Sequence, residues 1–592
     1  MHQFHIPVLG LGFSIDTPLK VARYGISSAV SIVDDELVER MREYHCRQNH
    51  MPYRAIPKKS ADSRARRITS YLNLLNVLVE LQFEELKNQE FYTGSDLDKY
   101  FELLPDDSQL KQGYELMRDF NDGPQRLIFE NILRSRMNVG TIDVNIMTKV
   151  DKVNLDSDGN YTGDTNTDAL AALRGFAESD LRSSLVLSAG LNQRLFSYLE
   201  SFKDFYPDAE GLIKKKIILK VSDFRSALLQ AKLLAKKGLW VAEFRIESGL
   251  NCGGHAFATD GLLLGPILEE FKQKRQDLQD ELLNICKEAL MVKDIFLLQP
   301  PEQRITAQGG IGTAAEQRFL MRHYELDGTG WGSPFLLVPE VTNVDNGTLQ
   351  HLATADEDDF YLSNASPLGV LFNNFRHSTS EQQRLTRLAK GRPGSPCTKK
   401  LLVNNLEFTD TPICTASRQY QALKIAQLKG TELQEDELDR RVKSVIEKVC
   451  LCEGLCASAY IKNDMLKAKE DRAVAICPGP NLAFFSGVYS LREMADHIYG
   501  KLDLLREATR PHIFVNELRL YIDYFKKLTE NALGGADAKQ LKYIQKFKDQ
   551  LTEGINYYNQ LFTELSGAAT SEINKIIEEL NVTQYTLAGH TE

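Results

Sequence analysis

Three glycine-rich stretches and a run of cysteines carry the residue types that can do chemistry. The first stretch is Glu247-Ser-Gly-Leu-Asn-Cys-Gly-Gly-His255. Its glycines let the backbone approach a ligand closely, and a histidine behind Gly-Gly is placed to exchange a proton with it. The second is Ala307-Gln-Gly-Gly-Ile-Gly-Thr313, directly ahead of the helical stretch 314–323. Peptide N–H groups in such a turn, at a helix N-terminus, form a phosphate cradle. The third, Asp327-Gly-Thr-Gly-Trp-Gly-Ser-Pro-Phe335, adds small residues at Gly332 and Ser333. Two such turns in succession favour a phosphate-bearing cofactor, and tight structural turns are the plain alternative.

Six of the nine cysteines lie between Cys397 and Cys477. Four thiolates suit zinc or a [4Fe–4S] cluster, since both take soft sulfur ligands. Cys397, Cys414, Cys452 and Cys477 occupy separate turn contexts and are the preferred set. The spacing lacks the compact Cys-x-x-Cys of ferredoxins and zinc ribbons, so buried free thiols stand as the alternative.

These residues need elements to hold them. Apolar runs at 6–13, 28–33, 142–147, 184–188, 216–221, 239–246, 295–298 and 304–307 read as strands. Helical stretches follow several of them, such as the one starting at Phe224 with Ser222 or Asp223 as its cap. Strands alternating with helices predict parallel βαβ units, and continuously apolar strands predict a sheet covered on both faces. Residues 36–135 read as helical, with Ile68, Leu72, Leu75, Leu78, Leu81 and Leu86 at helical spacing. The loop 154–168 contains Asp156-Ser-Asp-Gly159, which lacks the closing Glu of a calcium loop and reads as surface. Towards the end, Phe514, Leu518, Tyr521, Phe525 and Leu528 share one helix face. Gly534-Gly535 stops that helix, and Leu541, Ile544, Phe547, Leu551 and Ile555 begin another.

The ordered set Pro7-Val-Leu, Val144-Asn145, Ser188-Ala-Gly190, Ser248 to His255, Gly309-Gly-Ile-Gly312 and Gly332-Ser-Pro-Phe335 resembles the nitronate monooxygenase family. That family, formerly the 2-nitropropane dioxygenases, includes the FMN-dependent enoyl-ACP reductases. The resemblance implies an α/β fold, a TIM (β/α)8 barrel binding FMN at the strand C-termini. It would occupy residues 1–35 and 136–380, interrupted by a helical insertion at 36–135. A cysteine-rich extension at 381–490 and a mainly helical region at 491–592 would follow. It further implies that Leu11, Gly12, Phe13 and Asn145 lie near the flavin and that Lys216 pairs with it. Gly309, Gly310, Gly332 and Ser333 would hold the phosphate, with Ser248, Gly253 and Gly254 as further cofactor contacts. His255 falls on the family's active-site histidine, acting as acid or base beside the flavin.

Where the family has Glu-Ala before Gly-Gly-His this chain has Asn251-Cys252, and Pro334 replaces the Arg of its Gly-Thr-Arg-Phe motif. The cradle is thus retained while the substrate side is altered. Cys252 reads as a small buried filler or a reactive thiol, and Lys220 and Arg245 are the cations nearest the mouth. Nitronate-like oxidation of a small substrate leads; NAD(P)H-dependent enoyl reduction and a non-catalytic flavin- or partner-binding module are the alternatives. An iron–sulfur centre would serve as an electron relay, and an electron-transfer partner or a homodimer is compatible with all three.

The 592 residues carry 71 Lys and Arg against 81 Asp and Glu. A net charge of −10 argues against nucleic acid or anionic lipid as the main partner. Hydrophobic residues at 43% and charged residues at 26% exclude wholesale disorder. No basic, apolar leader or spanning stretch is evident, so the expected location is the cytoplasm, with reduced thiols.

Overall fold

The computed structural model describes residues 2–155, 160–188, 190–505, 510–532 and 537–566, with 574, 575 and 578. The Asp156–Gly159 tetrad, Ala189 and the Gly534-Gly535 pair lie outside the described residues.

Eight parallel strands close into a barrel with helices between them. They are β1 (Phe4–Ile6), β2 (Ser27–Ser31), β3 (Ile142–Met147), β4 (Ser184–Ser188), β5 (Lys216–Val221) and β6 (Val241–Glu247). After a short β7 (His255–Ala256) outside the barrel come β8 (Arg304–Gln308) and β9 (Gly328–Gly330). Closure pairs Phe4 with Thr329 and His5 with Gly330. β9 is built from a stretch that reads as a turn because Gly-Thr-Gly has poor strand propensity. Barrel closure supplies the pairing that propensity does not. Conversely, residues 295–298, expected as a strand, form a loop with Phe296 and Leu298 exposed, because β6 pairs directly with β8. The apolar run at 6–13 contributes only Ile6 to a strand; residues 7–13 turn over the barrel mouth.

Five helices fill the connection from β2 to β3: Asp35–Gln48, Ser63–Lys87, Asp96–Glu102, Gln109–Arg118 and Pro124–Arg136. Asp34 caps the first by accepting from the N–H groups of Glu36 and Leu37. The long helix Ser63–Lys87 buries Ile68, Leu72, Leu75, Leu78 and Leu86, while Leu81 faces outward. It packs against the helices Asp35–Gln48 and Asp168–Ala177, so it joins the layer of helices around the barrel.

A second sheet, β7 with β10 (Phe360–Ser363) and β11 (Leu371–Phe375), is antiparallel in the order β10-β11-β7. The two last helices, Ile513–Ala532 and Ala538–Ser566, pack on each other and on the segment around Leu264. Phe514, Leu518, Tyr521 and Phe525 are buried, as are Phe547, Leu551 and Ile555; Leu541 is exposed. Among the described residues no helix is long and apolar enough to cross a membrane.

Candidate active site at the barrel mouth

A cavity of ≈ 650 Å³ opens at the C-terminal ends of the barrel strands. That is the size of a cofactor or drug-sized ligand site, and the C-terminal face is where such barrels carry their chemistry. Leu11, Phe13, Asn145, Gly253, Gly254, His255, Gly309, Gly310, Gly332 and Ser333 all line it. Three expected residues do not. Gly12 turns away: its N–H donates to Leu455 O at 3.0 Å, and a Cβ there would stand 2.9 Å from the same oxygen. Ser248 lies just beneath the surface, its hydroxyl bonded to Glu517. Lys216 opens β5, so strand direction puts it at the opposite end of the barrel, 44% exposed and 3.7 Å from Glu302. Lys220, at the other end of that strand, reaches the cavity.

Gly309 and Gly310 have φ of 102° and 82°, and a Cβ on Gly310 would sit 2.0 Å from the Asn251 amide. Packing within the protein therefore requires glycine here whatever is bound. The argument for an anion is different. Among the described residues, nothing accepts from the peptide N–H groups of Gly309, Gly310, Gly332 or Ser333. The Asn251 side-chain N–H group is likewise buried without a partner. Across the mouth, Asn145 of β3 lines the same cavity, 8% exposed. Orphaned donors converging on a cavity are costly unless a ligand accepts from them. These residues fit a phosphate-bearing cofactor.

The cations of the mouth are mostly spoken for. Arg245 lies within the barrel, 2.8 Å from Glu243 and 3.1 Å from Asp143, and Lys220 is 2.7 Å from Glu247. Lys149 is exposed, lines the cavity and has no carboxylate partner among the described residues. Nothing in the sequence around it distinguishes it from any solvated loop lysine.

His255 sits on β7, paired with Phe372 of β11 and packed edge-on against its ring. Ser366 Oγ holds the ring at Nε2 from 2.8 Å. Burial, and then the charge of Lys220, lower its pKa from 6.5 to about 4, so the imidazole is neutral at pH 7. Burial pushes the Cys252 thiol well up, which makes it a packed thiol and not a ready nucleophile.

Segments from the last third of the chain complete the cavity: Leu455, Cys477, Gly479 and Asn481, with Tyr524 and Tyr543 from the final helices. Cys477 O accepts from Gly254 N at 2.9 Å, and Ser333 Oγ accepts from Gly479 N at 2.7 Å. Cys477 is therefore part of the barrel mouth, apart from the other cysteines of the expected metal set; Cys450 stands with Cys397, Cys414 and Cys452 instead.

Glu517 ties the helix Ile513–Ala532 to the site. Its carboxyl accepts from Ser248 Oγ, from Leu264 N at 2.9 Å and from Tyr558 OH at 3.0 Å. Burial outweighs these donors and raises its pKa from 4.5 to about 7. A raised pKa means the folded state holds a proton that the unfolded chain has released. The contribution is full below pH 4.5 and disappears as pH rises through about 7, amounting to about 3 kcal/mol. Buried His2, His5, His255 and His512, whose pKa values are lowered, work in the opposite direction, so the readout is the difference between wild type and Glu517→Gln. Glutamine can donate to Ser248 while accepting from Leu264 and Tyr558, and urea midpoints of the two proteins should show wild type gaining on the variant as pH falls from 8.5 to 5.

No family model matches the chain, and no curated protein does. Among solved structures it is similar to the enoyl reductase domain of MlnA from the macrolactin biosynthesis cluster of Bacillus amyloliquefaciens, at 13% identity and a TM-score of 0.30, over 76% of this chain and 93% of that one. A likeness that faint assigns no activity, and the fold rests on the chain's own strand order: a closed, parallel, eight-stranded α/β barrel with a helical C-terminal region.

Proposed function

We propose that the barrel mouth binds FMN and oxidises a small substrate carrying an acidic C–H or a nitronate-like anion. The observation that carries this reading is the convergence of unpartnered donors, at Gly309, Gly310, Gly332, Ser333 and Asn251, on one cavity that also holds a neutral histidine. Those donors would take the phosphate, and Asn145 would bond the polar edge of the ring system. Bound there, the flavin would supply hydride or single-electron exchange, which no protein side chain in the cavity supplies.

The rest is the work of the chain's own residues. β7, β11 and the turn at residues 7–13 wall the mouth against water. Lys149 attracts an anionic substrate. Ser366 fixes the His255 ring at Nε2, and in the tautomer where Nε2–H donates to Ser366 Oγ, Nδ1 would accept a proton from substrate. Burial and Lys220 lower the His255 pKa to about 4, so the ring rests neutral at pH 7. It can take a proton without first losing one, which supports oxidation over an enoyl reduction that needs a proton delivered.

Purified protein should be yellow, or should quench added FMN fluorescence to a stoichiometry of about one, with flavin released on denaturation. Under anaerobic conditions a nitronate should bleach it, whereas an enoyl thioester with NAD(P)H should not turn over. Protein that takes up no FMN would overturn the reading.

A further inference from the structure

The cysteines outside the barrel mouth are the strongest chemistry that the proposed reaction leaves unused. Cys397 and Cys414 bracket most of the segment 390–417, which has no helix or strand and only the isolated bridges Ser395–Ser417 and Asn405–Ile413. Compact domains seldom hold structureless stretches beyond about 12–15 residues unless something fastens them. Here the hydrophobic effect does little of the fastening: Leu406 is exposed and Leu402 only partly covered.

Both cysteines meet the Cys450-Leu-Cys452 pair, which enters the helix Leu451–Lys462, and all four line one small cleft. The four thiols stand close enough to act on one another electrostatically, Cys397 with Cys414 and Cys450, and Cys452 with Cys450 and Cys414. A peptide N–H beside each sulfur favours its thiolate: Lys400 at Cys397, Ala416 at Cys414, Glu453 at Cys450 and Leu402 at Cys452. A thiol has little need of such a donor, but a metal-bound thiolate does, because the N–H groups offset its charge. Cys397 and Lys400 adopt φ of 58° and 57°, the left-handed turns that aim an N–H back at the sulfur.

We propose that Cys397, Cys414, Cys450 and Cys452 form a tetrathiolate site for zinc(II) that fastens the segment 390–417 to the first turn of the helix Leu451–Lys462. Among the described residues no group of three or more ligand side chains is already set to hold a metal ion. The four cysteines are free thiols, and zinc entry would draw their sulfurs together. The four thiols give up four protons and four Zn–S bonds form, with no change of oxidation state and a net charge of −2 at the centre. Lys400 lines the same cleft and its charge favours the Cys397 thiolate, while Lys399 is held by Asp34. Tetrahedral zinc with Zn–S of about 2.3 Å sets its sulfurs about 3.8 Å apart, which suits four thiols sharing one small cleft; a [4Fe–4S] cube would hold them much farther apart. The site is independent of the flavin reading, because its residues do not line the barrel cavity.

Elemental analysis of full-length protein purified without chelator should find about one zinc per chain. Cobalt(II) added to zinc-depleted protein should give the intense visible bands of tetrahedral thiolate ligation. Zinc binding should hide four thiols from a disulfide reagent in the native chain, a readout that needs no variant to fold. Cys397→Ser with Cys450→Ser should lose the metal, while Cys477→Ser should keep it. Absence of both zinc and the cobalt bands, zinc retained by the double variant, or iron with sulfide in place of zinc would each overturn the assignment. FMN uptake, measured on the same samples, reports on the barrel separately.

Discussion

Replacing Arg510 by alanine is expected to destabilise the protein by about 3–5 kcal/mol and to abolish FMN uptake with it. Arg510 and Glu316 are an ion pair at 2.6 Å with side chains only 3% and 4% exposed. The same guanidinium donates to Asn481 Oδ1 at 2.7 Å and to Gly310 O at 2.6 Å. Glu316 in turn accepts from the N–H groups of Gly312, Thr313 and Ile513. Burial alone would lift its carboxyl, but Arg510, His512 and the Gly312 N–H together hold it below the usual carboxylate range. Truncating Arg510 strands a buried carboxylate, leaves two acceptors unpaired and empties the space that forbids a side chain on Gly312, where a Cβ would stand 2.5 Å from the guanidinium. Arg510→Lys should recover only part of the loss, because one ammonium cannot reproduce three bonds in a planar fork. Urea denaturation of the two variants, followed by flavin titration under conditions where each is folded, checks both halves. Unaltered stability in the alanine variant would mean that the last helices are not fastened to the glycine loops in this way.

The same contacts show why the sequence reveals the barrel more readily than the site. The strand Lys216–Val221 is legible from the unbroken Ile217-Ile-Leu219 that burial on both faces forces, and Ile142–Met147 from its alternating Ile142, Val144 and Ile146. β9 is not, because its Gly-Thr-Gly owes its strand state to closure with Phe4 and His5. The glycine loops are legible as loops, since Gly309 and Gly310 need positive φ. What presses on them is not, because Asn251, Asn481 and Arg510 arrive from distant positions and no local spacing links them. Lys216 shows a related difficulty: a strand's direction decides which end of it meets the ligand, and the periodicity of a buried run says nothing about position along it. The separation of Cys477 from Cys397, Cys414 and Cys452 has the same origin, since turn context is local and convergence is not.

Replacing His255 by alanine is expected to leave FMN bound and lower turnover by about 10²–10⁴-fold, the usual worth of a positioned acid–base group. The pH dependence is the sharper test. A base works only when unprotonated, and His255 is held unprotonated by burial first and by Lys220 second. Turnover should therefore stay level from neutral pH downward and fall only as pH drops through about 4, provided the fold is intact there. Folding stability moves with the same sign, because between pH 6.5 and about 4 the unfolded chain binds a proton that the folded one refuses. Ser366→Ala frees the ring without removing it, so it should reduce kcat while leaving that low-pH break in place. Lys220→Met removes the nearby charge and should shift the break upward, a change that a merely structural histidine would not show. A profile of wild-type turnover breaking near 6.5 would mean that His255 is solvated in the working enzyme and that the β7–β10–β11 sheet does not close over it.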